Sequence, residues 1–247
     1  MILQEMKIQL SKVILLKDAF SEKPVVNAVR IETPQGREAL LRRDGYCLFL
    51  NAGQEAFDIR ILSPIYKERS VCLQPDGGEA VEEVLLYPSR AYPVRANETI
   101  VCGVLPWQTT LWVYLEDSAR ECRLLQDYEE GNTRISVFMQ GSVNREKRTW
   151  YIWDKEKEEG EFFQMRRCSD ASETYVLTSP LKTQYRKKNA LLFPAWECPA
   201  DENREIYLVF DYLKEKEYVL HYFYMEEEKE VCVQVEISGC RQNEYQF

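Results

Sequence analysis

The sequence has a single histidine, His221, and none of the common catalytic motifs. It contains no G-x-S-x-G, no H-E-x-x-H and no Walker-type glycine loop. Its eight cysteines never form a C-x-x-C pair, the arrangement from which zinc sites usually take their ligands. These absences predict a protein that is not an enzyme, with no catalytic residue, no bound metal and no cofactor.

Long hydrophobic runs are also missing. The longest aliphatic run near the N-terminus, residues 13–16, has the length of a strand and is shorter than a signal-peptide core or a membrane span. We therefore expect a cytoplasmic protein without a membrane segment, and release from the cell as part of an assembly stays open. In that compartment the cysteines are expected to be reduced thiols.

Basic charge is in deficit. The chain has 32 Lys and Arg residues against 41 Asp and Glu residues, which gives a formal net charge of −9. A nucleic-acid-binding protein needs a basic field to displace counterions from phosphates. We therefore expect no nucleic-acid partner, and the same charge disfavours binding to an anionic membrane surface.

Aromatic residues and period-two alternation are abundant instead. The chain has 15 Tyr, 10 Phe and 5 Trp. Apolar and polar residues alternate at 57–61, 134–139 and 231–237, as in strands that bury one face and leave the other in water. Short turn signals such as Asp44-Gly45 separate such segments. The pattern predicts an all-β, antiparallel β-sandwich protein, organised as two tandem sandwich domains.

Further predicted strands lie at 13–17, 28–32, 46–51, 69–74, 81–87, 100–105, 110–115, 148–153, 161–166, 173–178, 205–210 and 217–224. The polar, proline-containing segment 88–99 predicts a boundary between domains 1–93 and 94–247. A second polar segment at 179–190 leaves open that the C-terminal part is two smaller units.

Residues 115–128 allow two interpretations. Leu115, Ala119, Cys122 and Leu125 would form one stripe of a helix, whereas the same segment also fits a hairpin whose second strand is 121–128. A short helix or irregular crossover is favoured.

Residues 13–93 carry the turn-and-strand pattern of a known domain. Arg43-Asp44-Gly45-Tyr46 leads into Cys47-Leu48-Phe49, and Phe57-Asp58-Ile59-Arg60-Ile61 with Ser63-Pro64-Ile65-Tyr66 has the form of the hairpin that follows. The segment thereby resembles the carboxypeptidase regulatory-like domain, a transthyretin-like (prealbumin-like) β-sandwich. It departs from that family at Glu55 and Ile65, where glycine is common. The resemblance implies a sandwich of roughly seven strands and an adaptor role, but no particular activity.

A weaker version of this layout recurs near the C-terminus. Phe210 and Tyr218 are separated by the same eight positions as Phe49 and Phe57. In this interpretation a final strand at 231–237 closes the second unit as 81–87 closes the first. The C-terminal domain is therefore predicted to be a second, divergent sandwich.

Clusters of large aromatic residues are the candidates for a binding surface. In the core such rings would only pack, whereas exposed rings would offer a protein hot spot or a stacking surface for sugars. The candidate partner- or glycan-binding residues are Trp107, Trp112, Trp150, Trp153, Tyr222 and Tyr224.

His221 is the one side chain whose ordinary pKa suits general acid–base chemistry near neutral pH. On a strand it shares a face with neither Leu220 nor Tyr222, and a packed imidazole at the rim of the core is the favoured interpretation. An enzyme of unfamiliar design would instead require a concave pocket that holds His221 and a carboxylate within hydrogen-bonding reach.

These observations favour a non-catalytic structural or protein-interaction module, for example an accessory subunit of a larger bacterial assembly such as a phage-tail-like particle. Its partner would be protein, in a homo- or hetero-oligomer. The alternative is a carbohydrate-binding module that uses surface Trp and Tyr rings. That alternative requires at least two coplanar, solvent-facing rings beside polar side chains.

Overall fold

The computed structural model describes residues 9–34, 37–75, 81–140, 149–168, 173–210, 213–214, 216–226 and 229–246. The described backbone consists of strands, their connecting turns and one short 3₁₀ helix. The predicted all-β sandwich fold is confirmed. The chain divides into two compact units, residues 1–95 and 96–247, and this division falls inside the polar segment 88–99.

The first unit has seven described strands in two sheets. They are β1 (Leu10–Asp18), β2 (Arg30–Glu32), β3 (Glu38–Leu41), β4 (Tyr46–Leu50), β5 (Phe57–Leu62), β6 (Arg69–Leu73) and β7 (Glu82–Leu86). One sheet has the order β3-β4-β1-β7 and the other β2-β5-β6. Alternate residues of β4 and β5 are buried, and Phe49 and Phe57 meet edge to face across the core with ring centroids 5.5 Å apart.

The second unit contains the remaining described strands in two sheets. They are β8 (Thr99–Val104), β9 (Thr110–Leu115), β10 (Cys122–Leu124), β11 (Arg134–Met139), β12 (Thr149–Asp154), β13 (Glu159–Arg167), β14 (Thr174–Leu177), β15 (Ala190–Pro199), β16 (Glu205–Phe210), β17 (Glu217–Glu226), β18 (Lys229–Ser238) and β19 (Gln242–Gln246). The large sheet has the order β10-β11-β14-β13-β12-β15-β9-β17-β18, and the small sheet β16-β8-β19.

The large sheet encloses a core of its own. It curls until its edge strand β10 contacts β15, and the apolar side chains inside the curl form one buried cluster. Trp150, Ile152 and Leu192 are fully buried there. Because side chains alternate along a strand, β12 and β15 also present residues to the opposite face.

The small sheet packs beside the C-terminal half of β15. The rings of Trp196 and Phe210 meet edge to face with centroids 4.9 Å apart, and the Cys198 thiol lies 3.8 Å from the carbonyl oxygen of Tyr207. The eight cysteines, all of which the structure describes, form no disulfide with one another, and Cys198 is among the buried ones.

Strand β15 has no counterpart among the predicted strands, because Pro194 and Pro199 argue against a central strand. In the structure β15 pairs with β12 on one side and β9 on the other. Pro194 lies opposite Trp150 of β12, while the pairing with β9 ends at Ala195. Its missing N–H group therefore interrupts at most one of the two ladders. The short strands β3 and β19 are likewise absent from the prediction.

Two further segments differ from their simplest interpretations. Residues Glu116–Glu121 form the 3₁₀ helix, and β10 follows directly, so segment 115–128 combines a short helix with a strand. Strand 231–237 does not close the second unit as predicted, because β18 pairs with β17 in an antiparallel hairpin. The closing parallel pair is β19 with β8, which matches the pairing of β7 with β1 in the first unit.

Candidate functional site

One face of the large sheet carries a continuous group of aromatic side chains. Tyr114 of β9, Tyr151 of β12, Phe193 of β15 and Phe223 of β17 form this cluster together with Ala195. The strand register brings them together, since Tyr151 lies opposite Phe193, and Ala195 lies opposite Tyr114. Period-two alternation on four separate strands thus produces one aromatic surface.

The rings in the centre of this surface are stacked against one another. The Tyr114 ring lies between Tyr151 and His221, with centroid distances of 4.7 and 4.5 Å and interplanar angles of 12° and 10°. Rings stacked in this way cover one another's faces, which is why Tyr151 and Tyr114 are only 2% and 6% exposed. A ligand above the stack would meet ring edges rather than flat faces.

A groove of about 690 Å³ lies over this surface. Its floor is formed by the aromatic cluster, with Trp153 and Leu191 half-buried beside it. Its rim comes from the β12–β13 turn, from residues 182–183 and from the outer strand β18. Volume and apolar floor are both in the range of ligand-binding clefts.

Carboxylates dominate the rim of the groove. The charged lining residues are Glu116, Glu158, Glu159, Glu161, Glu230 and Lys182. Glu161 is already engaged, because it accepts hydrogen bonds from the Lys182 backbone N–H at 2.9 Å and from the Tyr185 hydroxyl at 3.1 Å. Within the described part of the chain, Glu158, Glu159 and Glu230 make no ion pair or side-chain hydrogen bond. The groove therefore presents negative charge above an apolar floor.

His221 lies at one end of the groove. Its Nε2 atom is 3.2 Å from Oε2 of Glu116, and the Glu116 side chain is 60% exposed. The requirement stated for an enzyme, a concave site with His221 and a carboxylate in reach, is thus met geometrically. The imidazole is only 8% exposed and is held by its stacking on Tyr114, so it also packs at the edge of the aromatic cluster.

The potential nucleophiles in the groove are held in their neutral forms. Burial raises the pKa of Tyr114 and of Tyr151 well above the ordinary value for a phenol, and the charge of Glu230 adds to the increase at Tyr151. Partial desolvation raises the pKa of the Cys232 thiol, again with a contribution from Glu230. These groups therefore stay protonated at neutral pH, and the thiol does not become a thiolate.

Two of the candidate aromatic residues, Trp112 and Trp153, lie on the groove face. Trp112 is half-buried and packs against the aromatic cluster beside Phe162, at a centroid distance of 5.3 Å. Trp153 is half-buried at the groove, and its ring plane is inclined by 24° to that of Tyr151. Trp153 is therefore the candidate ring with direct access to the groove.

The other candidates lie elsewhere. Trp150 is fully buried in the core inside the curl, where it has no surface to offer a partner. Tyr222 and Tyr224 project from the opposite face of β17, and Tyr222 is only 5% exposed. Trp107 packs edge to face on Tyr224 at 5.5 Å and donates its indole N–H to the carbonyl oxygen of Met225 at 2.9 Å. The six residues thus form no single site.

The sequence identified segments that reach the groove, but it did not show which of their residues line it. Phe193 went unnoticed because β15 was not predicted, and Tyr151 and Phe223 lie in aromatic segments whose inward and outward faces the sequence does not distinguish. The register of each strand against its neighbours supplies that information. The acidic rim was visible only as separate glutamates in turns and strand ends.

Among the residues that the structure describes, no cluster of three or more His, Cys, Asp or Glu side chains could hold a metal ion. In the same residues, no helix is long and apolar enough to cross a membrane.

No protein family and no curated protein matches the sequence. Among solved structures, the shaft pilin SpaA from Lactobacillus rhamnosus GG aligns over 95% of this chain and 96% of its own, with 9% identity and a TM-score of 0.24. The C-terminal domain of the Streptococcus agalactiae AgI/II polypeptide BspA aligns over 94% and 80%, with 8% identity and a TM-score of 0.15. At such TM-scores neither likeness carries an argument about this chain.

Proposed function

We propose that the protein is a non-catalytic interaction module whose groove binds a segment of another protein. The observation that carries this proposal is the groove itself. It has a volume of about 690 Å³, an aromatic floor and a rim of glutamates. Glu158, Glu159 and Glu230 have no ionic partner within the described residues. An apolar surface edged by uncompensated charge is typical of a site that a partner covers.

The geometry of the rings favours a protein partner over a glycan. Sugar rings stack on flat aromatic faces, whereas Tyr114, Tyr151 and His221 cover each other's faces and leave their edges to a ligand. Trp153 is the exception, since its half-buried ring reaches the groove, and one ring does not make the coplanar pair that a sugar platform requires. Apolar or cationic side chains from a polypeptide fit the ring edges and the acidic rim.

The protonation states in the groove support a non-catalytic role. The Tyr114, Tyr151 and Cys232 side chains all have raised pKa values, so none is an activated nucleophile at neutral pH. The pair formed by His221 and Glu116 needs no catalytic role to explain it. The His221 ring stacks on Tyr114, and the Glu116 side chain lies in solvent at the rim of the groove.

We further propose that the module is an accessory subunit of a larger bacterial assembly, such as a phage-tail-like particle. The resemblance of residues 13–93 to regulatory-like β-sandwich domains, which act as adaptors, supports this role. An adaptor of this kind would use the first unit as a scaffold and the groove of the second unit for recognition.

Affinity capture with matched tryptophan variants tests the proposal. Trp153→Ala removes the half-buried ring at the groove, and Trp107→Ala removes a half-buried ring on the other face of the sheet. We expect the wild type and Trp107→Ala to capture the same protein from native lysate, and Trp153→Ala to capture it about tenfold less, as for a hot-spot tryptophan. Sedimentation of the captured complex then measures whether it is a large particle.

A wild-type protein that stays monomeric and captures no protein would overturn the proposal, as would equal capture by both variants. Binding to a glycan array that Trp153→Ala abolishes, without any protein capture, would replace it with the carbohydrate-binding alternative.

A further inference from the structure

Strand β18 is the last strand of the nine-stranded sheet, next to the groove. It is ten residues long and pairs with β17 without a register shift. The end pairs are Glu226 with Lys229 and Glu217 with Ser238. The other side of β18 has no neighbouring strand among the described residues. A long edge of this kind is a template for another extended chain, so proteins usually cover or disrupt it.

In the part of the chain that the structure describes, contacts cover one end of this edge. The carbonyl oxygen of Glu236 accepts a hydrogen bond from the Tyr245 hydroxyl, and the Ser238 backbone N–H donates to Oδ1 of Asn243 at 2.8 Å. Backbone groups of successive residues in an antiparallel strand point alternately to its two sides. Those of Glu230, Cys232 and Gln234 therefore point to the same outer side.

The uncovered part of the edge coincides with the groove. Within the described residues, no backbone hydrogen bond from another segment reaches the outward-pointing N–H and C=O groups of Glu230, Cys232 and Gln234. The side chains of the same three residues line the groove. A strand added here would place every second side chain over the acidic, aromatic groove. The intervening side chains would lie beside the half-buried Val231, Val233 and Val235.

We propose that a partner protein adds an extended segment beside β18 as a tenth strand, with basic residues facing the groove and β-branched apolar residues facing the valines. This inference rests on the proposed function and specifies its binding mode and partner chemistry. Main-chain hydrogen bonds to the free edge would supply affinity, and the alternating side chains would supply specificity. Glu158, Glu159 and Glu230 complement the basic side chains by charge.

Charge argues against a second copy of this chain as the occupant. Antiparallel pairing of two β18 edges centred on Val233 would place Glu230 of one copy opposite Glu236 of the other, and like charges in facing positions are destabilising. The net charge of −9 adds a general repulsion between copies. A basic segment gains from the same charges that keep copies apart.

A synthetic peptide tests the partner chemistry directly. The probe is a fluorescein-labelled ten-residue peptide of alternating lysine and valine, titrated with the full-length protein and followed by fluorescence anisotropy. The charge control alternates glutamate with valine. The backbone control is the lysine–valine peptide with every second amide N-methylated, prepared in both parities so that one form removes the donors facing β18.

We expect the lysine–valine peptide to bind, and the glutamate–valine peptide to bind at least about tenfold more weakly because it meets the acidic rim. One parity of N-methylation should weaken binding about tenfold or more, because several backbone hydrogen bonds are lost together, and the other parity should change it less. Equal binding of all the peptides, or equal effects of both parities, would overturn strand addition.

Variants of the protein locate the binding edge. Gln234→Pro removes an outer N–H from a position where an edge strand tolerates proline, and Glu230→Lys reverses a rim charge. Glu236→Lys is the matched control, because it changes the same charge where Tyr245 already covers the edge. We expect the first two variants to weaken peptide binding about five- to tenfold and the control less than about threefold. Far-ultraviolet circular dichroism verifies that each variant is folded.

These experiments separate the inference from the proposed function. If native partner capture depends on Trp153 but not on Gln234 or Glu230, the interaction module stands and strand addition is wrong. If the wild type is a dimer that Gln234→Pro converts to a monomer, the occupant of the edge is a second copy and the basic partner segment is wrong.

Discussion

At the scale of single residues, Gly45 occupies a position that only glycine can fill without strain. Its φ angle is +85°, and a Cβ atom at this position would lie 2.8 Å from Cβ of Pro24. A left-handed backbone costs a non-glycine residue about 1 kcal/mol, and the steric overlap adds about 1–3 kcal/mol. We expect Gly45→Ala to lower the free energy of unfolding by about 2–4 kcal/mol, measured by urea denaturation.

Gly53 provides the matched control. Its φ angle is +75°, but apart from its chain neighbours no heavy atom of a described residue lies within 4 Å of where its Cβ would be. Gly53→Ala should therefore cost only the backbone term, about 1 kcal/mol. Equal losses for the two variants would mean that Pro24 yields without cost and that the close approach has no role in stability.

The role of Gly45 could be predicted from the sequence, because Asp44-Gly45 before an apolar run is a local turn signal. The contact with Pro24 could not, since it joins segments about twenty positions apart whose proximity depends on the fold. The same distinction applies to the groove. His221 could be identified as a candidate, whereas its partners Tyr114 and Glu116 become neighbours only when β9 pairs with β17.

At the scale of an element, β12 shows how one strand serves two purposes. Trp150 and Ile152 point into the core inside the curl, whereas Tyr151 and Trp153 point to the groove face. We expect Trp150→Ala to destabilise the second unit by about 3–5 kcal/mol, because a fully buried indole leaves a large cavity. Trp153→Ala should cost about 1 kcal/mol, since its side chain is only partly buried.

The comparison uses the free energy of unfolding together with partner binding. Trp150→Ala should lower stability and leave partner binding intact under conditions in which the variant is folded. Trp153→Ala should weaken partner binding with little loss of stability. A large loss of stability in Trp153→Ala alone would show that the groove face is structural core, which would remove the basis for a binding site there.

Alternation made most strands predictable, because a strand with one wet face displays its period in the sequence. Strand β15 could not be predicted from alternation, for two physical reasons. It is buried on both faces over much of its length, and it contains Pro194 at a point where one neighbouring ladder has ended. Register is likewise not written in any single strand, so the sequence placed aromatic residues in strands without showing which of them share a face.

At the scale of the whole molecule, each compact unit has its own hydrophobic core. The core described in residues 1–95 is formed by side chains such as Phe49, Phe57 and Ile59, and its described members all belong to that unit. The core clusters described in residues 96–247 are likewise formed by side chains of their own unit. A segment that buries its apolar surface within itself has the driving force to fold alone.

We therefore expect fragments 1–95 and 96–247, produced separately, each to unfold cooperatively in urea. In a ¹H–¹⁵N NMR correlation spectrum, the amide peaks of fragment 1–95 should overlay on a subset of the full-length peaks, except for residues near the new terminus. Gly45→Ala should destabilise the first fragment, and Trp150→Ala the second, by the amounts expected for the intact chain. A fragment that stays unfolded would show that its core needs residues from the other unit, and the groove would then have to be studied in the full chain alone. Independent folding would instead allow the lysine–valine peptide to be titrated against fragment 96–247, which contains the whole groove and the whole of β18.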